Sequence, residues 1–293
     1  MNVSVRKIAK EALPPLVARF VRKILAPKGQ SNRGAIEAEL KRLREMPRSK
    51  LATTMIFGWP FEIVDGQSFS DLYDTYFERQ IYDFDADNDA PFIIDCGANV
   101  GITVTWFKIK YPNSRVVAFE ADPAIFESLQ KNCGHLKGVT LINAAVWDKE
   151  GEVPFAVKGG EGGHLAEFSS KHTPLVRMVP CVRLRSLLCE KCDFLKLDIE
   201  GAEIAVVRDC VDVLRNVDRA FIEYHSFIDR PQRLGQTISS LELAGFRLHI
   251  HTEMPSPRPL RELAVLNEKD LRLDLYCFRE TAQCLSHTDA LGP

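Results

Sequence analysis

The chain reads as an α/β protein built on a doubly wound, mostly parallel seven-stranded sheet, with an antiparallel edge strand and an N-terminal helical arm. Three observations predict this. Short apolar runs alternate with helical patterns from Phe92 to Tyr224, as buried parallel strands and crossover helices do. Four of the runs end on or beside a carboxylate: Asp95, Glu120, Asp198 and Glu223. The last two strand-like stretches, after Gly245, lack a helical pattern between them, so one should run against the others.

The arm is residues 1–50. It carries 13 Lys/Arg against 4 Asp/Glu, while the remainder carries 25 against 36, so a basic arm precedes an acidic body. Pro14-Pro15 divides it. Leu16, Phe20, Val21, Ile24 and Leu25 then fall on one helical face among Arg19, Arg22 and Lys23. Such a helix over residues 1–28 is expected to dock on its own domain or on a second subunit, giving a homodimer; peripheral contact with an anionic membrane surface is the alternative. A second helix is expected from Arg33 to Glu45, ended by Pro47.

The main domain is expected over 51–280. Thr53–Ile63 reads as a strand or hairpin, and Phe69–Ile81 as a helix with Leu72, Tyr76 and Phe77 inward. These aromatics either roof a ligand or close the sheet. Phe92–Ile94 is a buried strand, followed by Cys96-Gly-Ala-Asn-Val-Gly101 and a helix to Tyr111. Gly97 and Gly101 permit a sharp turn and close backbone approach, and the helix presents its first amides there. Val116–Phe119 is the next strand. Glu120 follows the glycines by the separation at which an acid grips a ribose diol. Asp95 and Glu120 should both point into the crevice at the carboxyl edge of the sheet.

Asp122-Pro123 starts a helix to Cys133. Val139–Val146 reads as one strand, then Gly151–Val157 as a hairpin strand. The glycine-rich stretch 159–163 is either a lid or an exposed loop. Val179–Leu188 is a strand running into a short helix. Phe194–Leu197 is a buried strand ended by Asp198, and Glu200-Gly201 turns into a helix to Leu214. Arg219–Tyr224 is a strand. Pro231–Ala244 is a helix capped by Gly245, Phe246–His251 and Leu273–Phe278 are strands, and 281–293 form a disordered tail.

The eight cysteines are scattered, which suits a reducing compartment. Cys189-Glu-Lys-Cys192 has no second pair, so a plain structural role outweighs zinc or redox chemistry. No apolar core of a secretory signal is visible in residues 1–28, and no uncharged run is long enough to span a bilayer. A cytoplasmic location is expected.

G-A-N-V-G does not meet the G-x-G-x-x-G fingerprint of dinucleotide enzymes, which leaves a nicotinamide-type enzyme, or a non-catalytic membrane-peripheral form of the fold, as rival readings. The DCGANVG turn resembles motif I of S-adenosylmethionine-dependent methyltransferases. With AFEAD, NAAVWDKEG, DFLKLDIEGAE and IEYH in this order, the chain resembles the FkbM family of these enzymes over about residues 55–280. The resemblance implies the class I methyltransferase fold, S-adenosylmethionine as cofactor, and O-methylation of a hydroxyl on a sugar, glycan or secondary metabolite. Carried over by position, it places Asp95, Gly97, Asn99 and Gly101 around the methionine moiety and ribose, and Glu120 on the ribose hydroxyls. Asn143, Ala144 and Ala145 fall beside the adenine. Asp198 and Glu200 line the transfer centre, with Glu223 and His225 across it.

A hydroxyl acceptor must lose its proton, and neutral His225 is the first candidate base, followed by Asp198 and Glu200. The same four side chains could hold a divalent cation; the metal-free reading is favoured. Glu203 reads as a charge favourable to its helix dipole. Nucleic acid is not expected as a partner: the body is acidic, and the Asn/Asp-Pro-Pro-aromatic turn of base-amine methylases is replaced by Asp198-Ile-Glu-Gly.

Overall fold

The protein is described from a computed structural model, covering residues 30–156, 164–165 and 175–279. The amphipathic stretch before residue 30, the glycine-rich stretch 159–163 and the tail from 281 lie outside the described residues.

Helix α1 (Gln30–Arg44) is followed by a small antiparallel pair, β1 (Ala52–Thr54) and β2 (Phe61–Ile63). Helix α2 (Gly66–Tyr73) begins where Asp65 accepts the Ser68 amide at 2.9 Å. It widens into a π-helical turn over Asp74–Glu78. Leu40 and Leu43 of α1 are buried against this unit.

The main sheet then assembles. Strand β3 (Phe92–Cys96) leads through the glycine turn to α3 (Ile102–Lys110), β4 (Arg115–Glu120), α4 (Pro123–Cys133) and β5 (Val139–Asn143). After an excursion, β10 (Cys192–Leu197), α5 (Glu203–Cys210), β11 (Val217–Phe227), α6 (Leu234–Leu243), β12 (Arg247–Thr252) and β13 (Lys269–Phe278) complete it. Its order is β12-β13-β11-β10-β3-β4-β5. The antiparallel strand is β13, and it lies one place in from the edge, between β11 and β12. The edge strand β12 therefore runs with the parallel set. Composition explains the exchange: Leu273, Leu275 and Cys277 of β13 are buried, whereas β12 is largely exposed.

Successive residues of each central strand enter opposite cores. Ile93, Phe194 and Phe221 face the aromatic layer of Phe57, Phe61, Tyr82 and Phe107. Ile94, Leu195 and Ile222 face α5 and α6 through Val206, Val207 and Leu241.

The sequence predicts one strand over Val139–Val146; the structure divides it. The Asn143 side chain donates to the Glu120 carbonyl at 2.8 Å, and the chain then leaves the edge of the main sheet. Residues Ala145–Trp147 become β6 of a second sheet with β7 (Gly151–Ala156), β8 (His164–Leu165) and β9 (Val176–Arg183), ordered β6-β9-β7-β8. Cys189 and Cys192 are free thiols, one exposed and one buried. Among the described residues no helix is long and apolar enough to cross a membrane.

Candidate active site

A cavity of about 410 Å³ opens where the parallel strands end, within the usual size range of small-molecule sites. One end is built by the glycine turn, β4 and β6. The other is built by the turn after β10, the end of β11 and the start of β13. Because β13 is antiparallel, its first residues lie beside the last residues of its neighbours.

Gly97 lines the cavity with φ +86°, and a Cβ there would collide with the Asp198 carbonyl oxygen. Its bareness lets the two turns touch back to back. Asn99 lines the cavity as well, in the left-handed region at φ +50°. Gly101 (φ +93°) serves a different purpose. A Cβ there would meet Leu129 at 2.7 Å, so the position seats α3 against α4 and does not line the cavity.

Glu120 ends β4 with both carboxylate oxygens anchored: the Asn99 amide donates at 2.9 Å and the Asp122 amide at 2.8 Å. Burial pushes its carboxyl up to about 7, against the pull of those amides. Ala144 and Ala145 line the same end, while Asn143 braces the strand end behind it.

Asp95 departs from expectation. It is fully buried beneath the turn, accepts a hydrogen bond from Thr103, and lies 3.3 Å from the Lys196 ammonium. It does not line the cavity, because Lys196 and Thr103, which do, cover it. Lys196 also lies 3.2 Å from Asp198 and donates to the Gly97 carbonyl at 2.8 Å. Burial alone would lower its pKa, but Asp198 and Asp95 more than offset that and keep it charged. One ammonium thus ties both turns together.

At the other end Asp198, Glu200 and Glu223 line the cavity with Arg272 and Asp274. Burial would raise Asp198, but the Lys196 charge and the hydrogen bond with Glu223 hold it well below the carboxylate range. Burial, then the Asp198 charge, puts Glu223 well above that range. Asp198 is thus the first of the pair to ionise, and Glu223 the stronger base once ionised. Arg272 approaches Glu223 at 3.1 Å. Glu200 sits in the left-handed region at φ +56° and is contacted by the Lys269 ammonium. Burial and Glu253 push Asp274 up to about 7.

His225 is brought to this cluster but lies behind it. It is buried and is not among the residues lining the main cavity. Its Nδ1 lies 3.1 Å from Glu203, and its Nε2 lies 3.5 Å from Glu223 and 3.8 Å from Glu200. Burial favours the neutral ring, but Glu200, Glu203 and Glu223 outweigh it and raise the pKa to about 9. The expectation of a neutral imidazole near pH 7 is therefore corrected: three carboxylates surround it. Glu203 also does more than favour a helix dipole. It is fully buried and accepts from the amides of Ile199 at 3.0 Å and Gly201 at 2.9 Å while holding His225.

Sequence reasoning misses Lys196, Glu203, Arg272 and Asp274 as parts of the site. The signals are nevertheless present. A lysine inside an otherwise apolar strand requires buried anions, and Arg272, Asp274 and Tyr276 alternate with leucines and a cysteine along β13. Tyr76 and Tyr82 both line the cavity and stack on each other at 4.9 Å, so they serve as core and roof together.

The donor set tests which nucleotide fits. Around the glycine turn the cavity is lined by Gly97, Asn99, Glu120, Asp122, Ile125 and Ala144, and the lysine that reaches the turn, Lys196, is already held by Asp95, Asp198 and the Gly97 carbonyl. The buried Asp122 Oδ2 has no hydrogen-bond partner. Carboxylates, apolar walls and basic residues whose charges are already met by Asp95, Asp198 and Glu223 suit a cationic adenosyl ligand. S-adenosylmethionine, when bound, supplies a methyl group on a positively charged sulfur.

A strand-end cleft of this kind on this sheet defines a class I methyltransferase. The chain belongs to the methyltransferase FkbM domain family, whose model matches residues 95–248. It is 27% identical over 173 residues to methyltransferase sdnD of Sordaria araneosa, covering 47% of this chain and 67% of that one. It is 25% identical over 153 residues to 2-O-methyltransferase NoeI of Sinorhizobium fredii, covering 46% and 63%. It is 23% identical over 152 residues to hexuronic acid methyltransferase AglP of Haloferax volcanii, covering 51% and 62%. Among solved structures, the FkbM methyltransferase of Methylobacillus flagellatus aligns at 14% identity with a TM-score of 0.43, covering 92% of this chain and 57% of that one.

Proposed function

We propose that this methyltransferase transfers the methyl group to a hydroxyl oxygen of a sugar or similar polyhydroxylated metabolite, with the ionised form of Glu223 as the proton acceptor. The observation that carries the reading is the polar wall opposite the glycine turn. Asp198, Glu200, Glu223, Arg272 and Asp274 line it, and such groups hydrogen-bond several hydroxyls at once. The names of NoeI and AglP, a 2-O-methyltransferase and a hexuronic acid methyltransferase, point the same way.

Gly97, Asn99, Glu120, Ala144 and Ala145 hold the cofactor end, and Asp198 stands between the two ends. During transfer the carbon–sulfur bond breaks as the carbon–oxygen bond forms, and the acceptor oxygen loses one proton. Glu223 reaches the cleft, whereas His225 stands behind it. Arg272 holds Glu223 from the cleft side, while His225, fixed by Glu203, sets the charge around it from behind.

A labelled-methyl transfer assay against sugars and polyhydroxylated extracts tests the reaction. Glu223→Gln should lower turnover by about 10²–10⁴, with S-adenosylhomocysteine affinity little changed. Unchanged turnover in that variant would remove Glu223 as the base. Calorimetry in which NAD binds and S-adenosylhomocysteine does not would overturn the cofactor reading.

A further inference from the structure

Asp198, Glu200 and His225 each offer one ligand atom, and these atoms lie within 4.8 Å of one another. Grouped acids alone prove nothing, since ammonium groups already neutralise these two. The independent observation is the histidine. It is 2% exposed, and its Nε2 makes no hydrogen bond although the Glu223 and Glu200 carboxylates stand 3.5 and 3.8 Å away. A polar nitrogen left in that state is costly. Its other nitrogen is on Glu203, which is itself fixed by two backbone amides. Metal-binding histidines are held in this way, with the second nitrogen on a carboxylate that sets the ring.

We infer that Asp198, Glu200 and His225 form a site for one divalent cation at the acceptor end of the cleft. The inference rests on the methyltransferase reading and adds an ion to it. Donors about 2.0–2.2 Å from a shared ion stand about 3.0–3.6 Å from each other. The 3.8 Å between His225 Nε2 and Glu200 is slightly wider than that and beyond hydrogen-bond length. Two carboxylates and one imidazole favour Mn²⁺ or Mg²⁺ over thiophilic ions. The ion takes the place of a proton on Nε2 and competes with the Lys269 ammonium for Glu200. Beside the acceptor it polarises the hydroxyl and leaves Glu223 to receive the proton.

The test is a titration of chelator-treated, full-length protein with Mn²⁺ alone, with bound ion read by electron paramagnetic resonance. One ion per chain is expected. His225→Ala and Glu200→Gln should each weaken binding by more than about tenfold, and Glu203→Gln by about tenfold although all three ligands remain. Lys269→Met should tighten it severalfold. S-adenosylhomocysteine binding in the same samples reports the fold and the cofactor end, so loss of the ion site and failure of the methyltransferase reading are separable. Absence of saturable Mn²⁺ binding in the wild-type protein overturns the inference. So does binding that His225→Ala, Glu200→Gln and Glu203→Gln all leave unaltered.

Discussion

At the scale of single residues, Glu120 and Gly97 carry the sharpest expectations. Burial pushes the Glu120 carboxyl up to about 7. Hydroxyls that donate to it favour its charged form. Below that pH the group must first lose a proton, so cofactor affinity should rise with pH through about 7 and level off above. Calorimetry with S-adenosylhomocysteine in buffers of different ionisation enthalpy would detect the released proton. Glu120→Gln should remove the pH slope, and Glu120→Ala should cost about tenfold or more in affinity, the worth of hydrogen bonds to a charged group. A slope that persists in Glu120→Gln would place the titrating group elsewhere. Gly97→Ala should fail for a different reason. Its Cβ has no space beside Asp198 and its φ is +86°, which together cost about 2–4 kcal/mol. Denaturant unfolding would measure that cost directly. Asp95 shows where reading by position stops. That it ends a strand is local information, but its burial under Lys196 depends on a partner from another strand, which no spacing in its own segment encodes.

Whole elements were legible to the extent that their signals are local. The helix opened by Asp122-Pro123 is found as expected because both devices act within one turn: Asp122 accepts from the Ala124 amide at 2.9 Å, and proline stands first in the helix. Asp122→Ala should therefore lower stability by about 1 kcal/mol, a fall of roughly 2 °C in Tm for a chain of this size. Because the Asp122 amide, not its side chain, holds Glu120, cofactor affinity should change far less than stability. A loss of binding larger than the loss of stability would show that the orphaned Asp122 Oδ2 meets the ligand. The division of Val139–Val146 was not legible. Its residues favour a strand throughout, and the break comes from a side-chain bond between Asn143 and a neighbouring strand. The place of β13 was half legible. Its antiparallel sense follows from the lack of a helix in the connection, but its place inside the sheet is decided by which of two strands has more apolar surface to cover.

At the scale of the molecule, the glycine turn and the acids at the strand ends converge because all the parallel strands end on one edge of the sheet. Sequence order alone gives that convergence, so the cofactor end could be assembled from motifs. The acceptor end could not. It draws Arg272 and Asp274 from a strand that enters the edge in the opposite direction, and Glu203 and His225 from beneath. The cavity is lined from Ser68 to Asp274, so every wall found belongs to the body that carries the acidic excess. The basic arm lies outside those walls in sequence. Deleting residues 1–29 should therefore leave S-adenosylhomocysteine affinity within about twofold, since the cavity is walled by residues from Ser68 onward and salt screens charge effects beyond roughly 10 Å. Calorimetry on the intact and shortened chains at two salt concentrations makes the comparison. Weakening beyond tenfold at both would mean that the arm folds over the cleft and completes it. Weakening only at low salt would instead identify a long-range field effect of its thirteen Lys/Arg partly lost with the deletion.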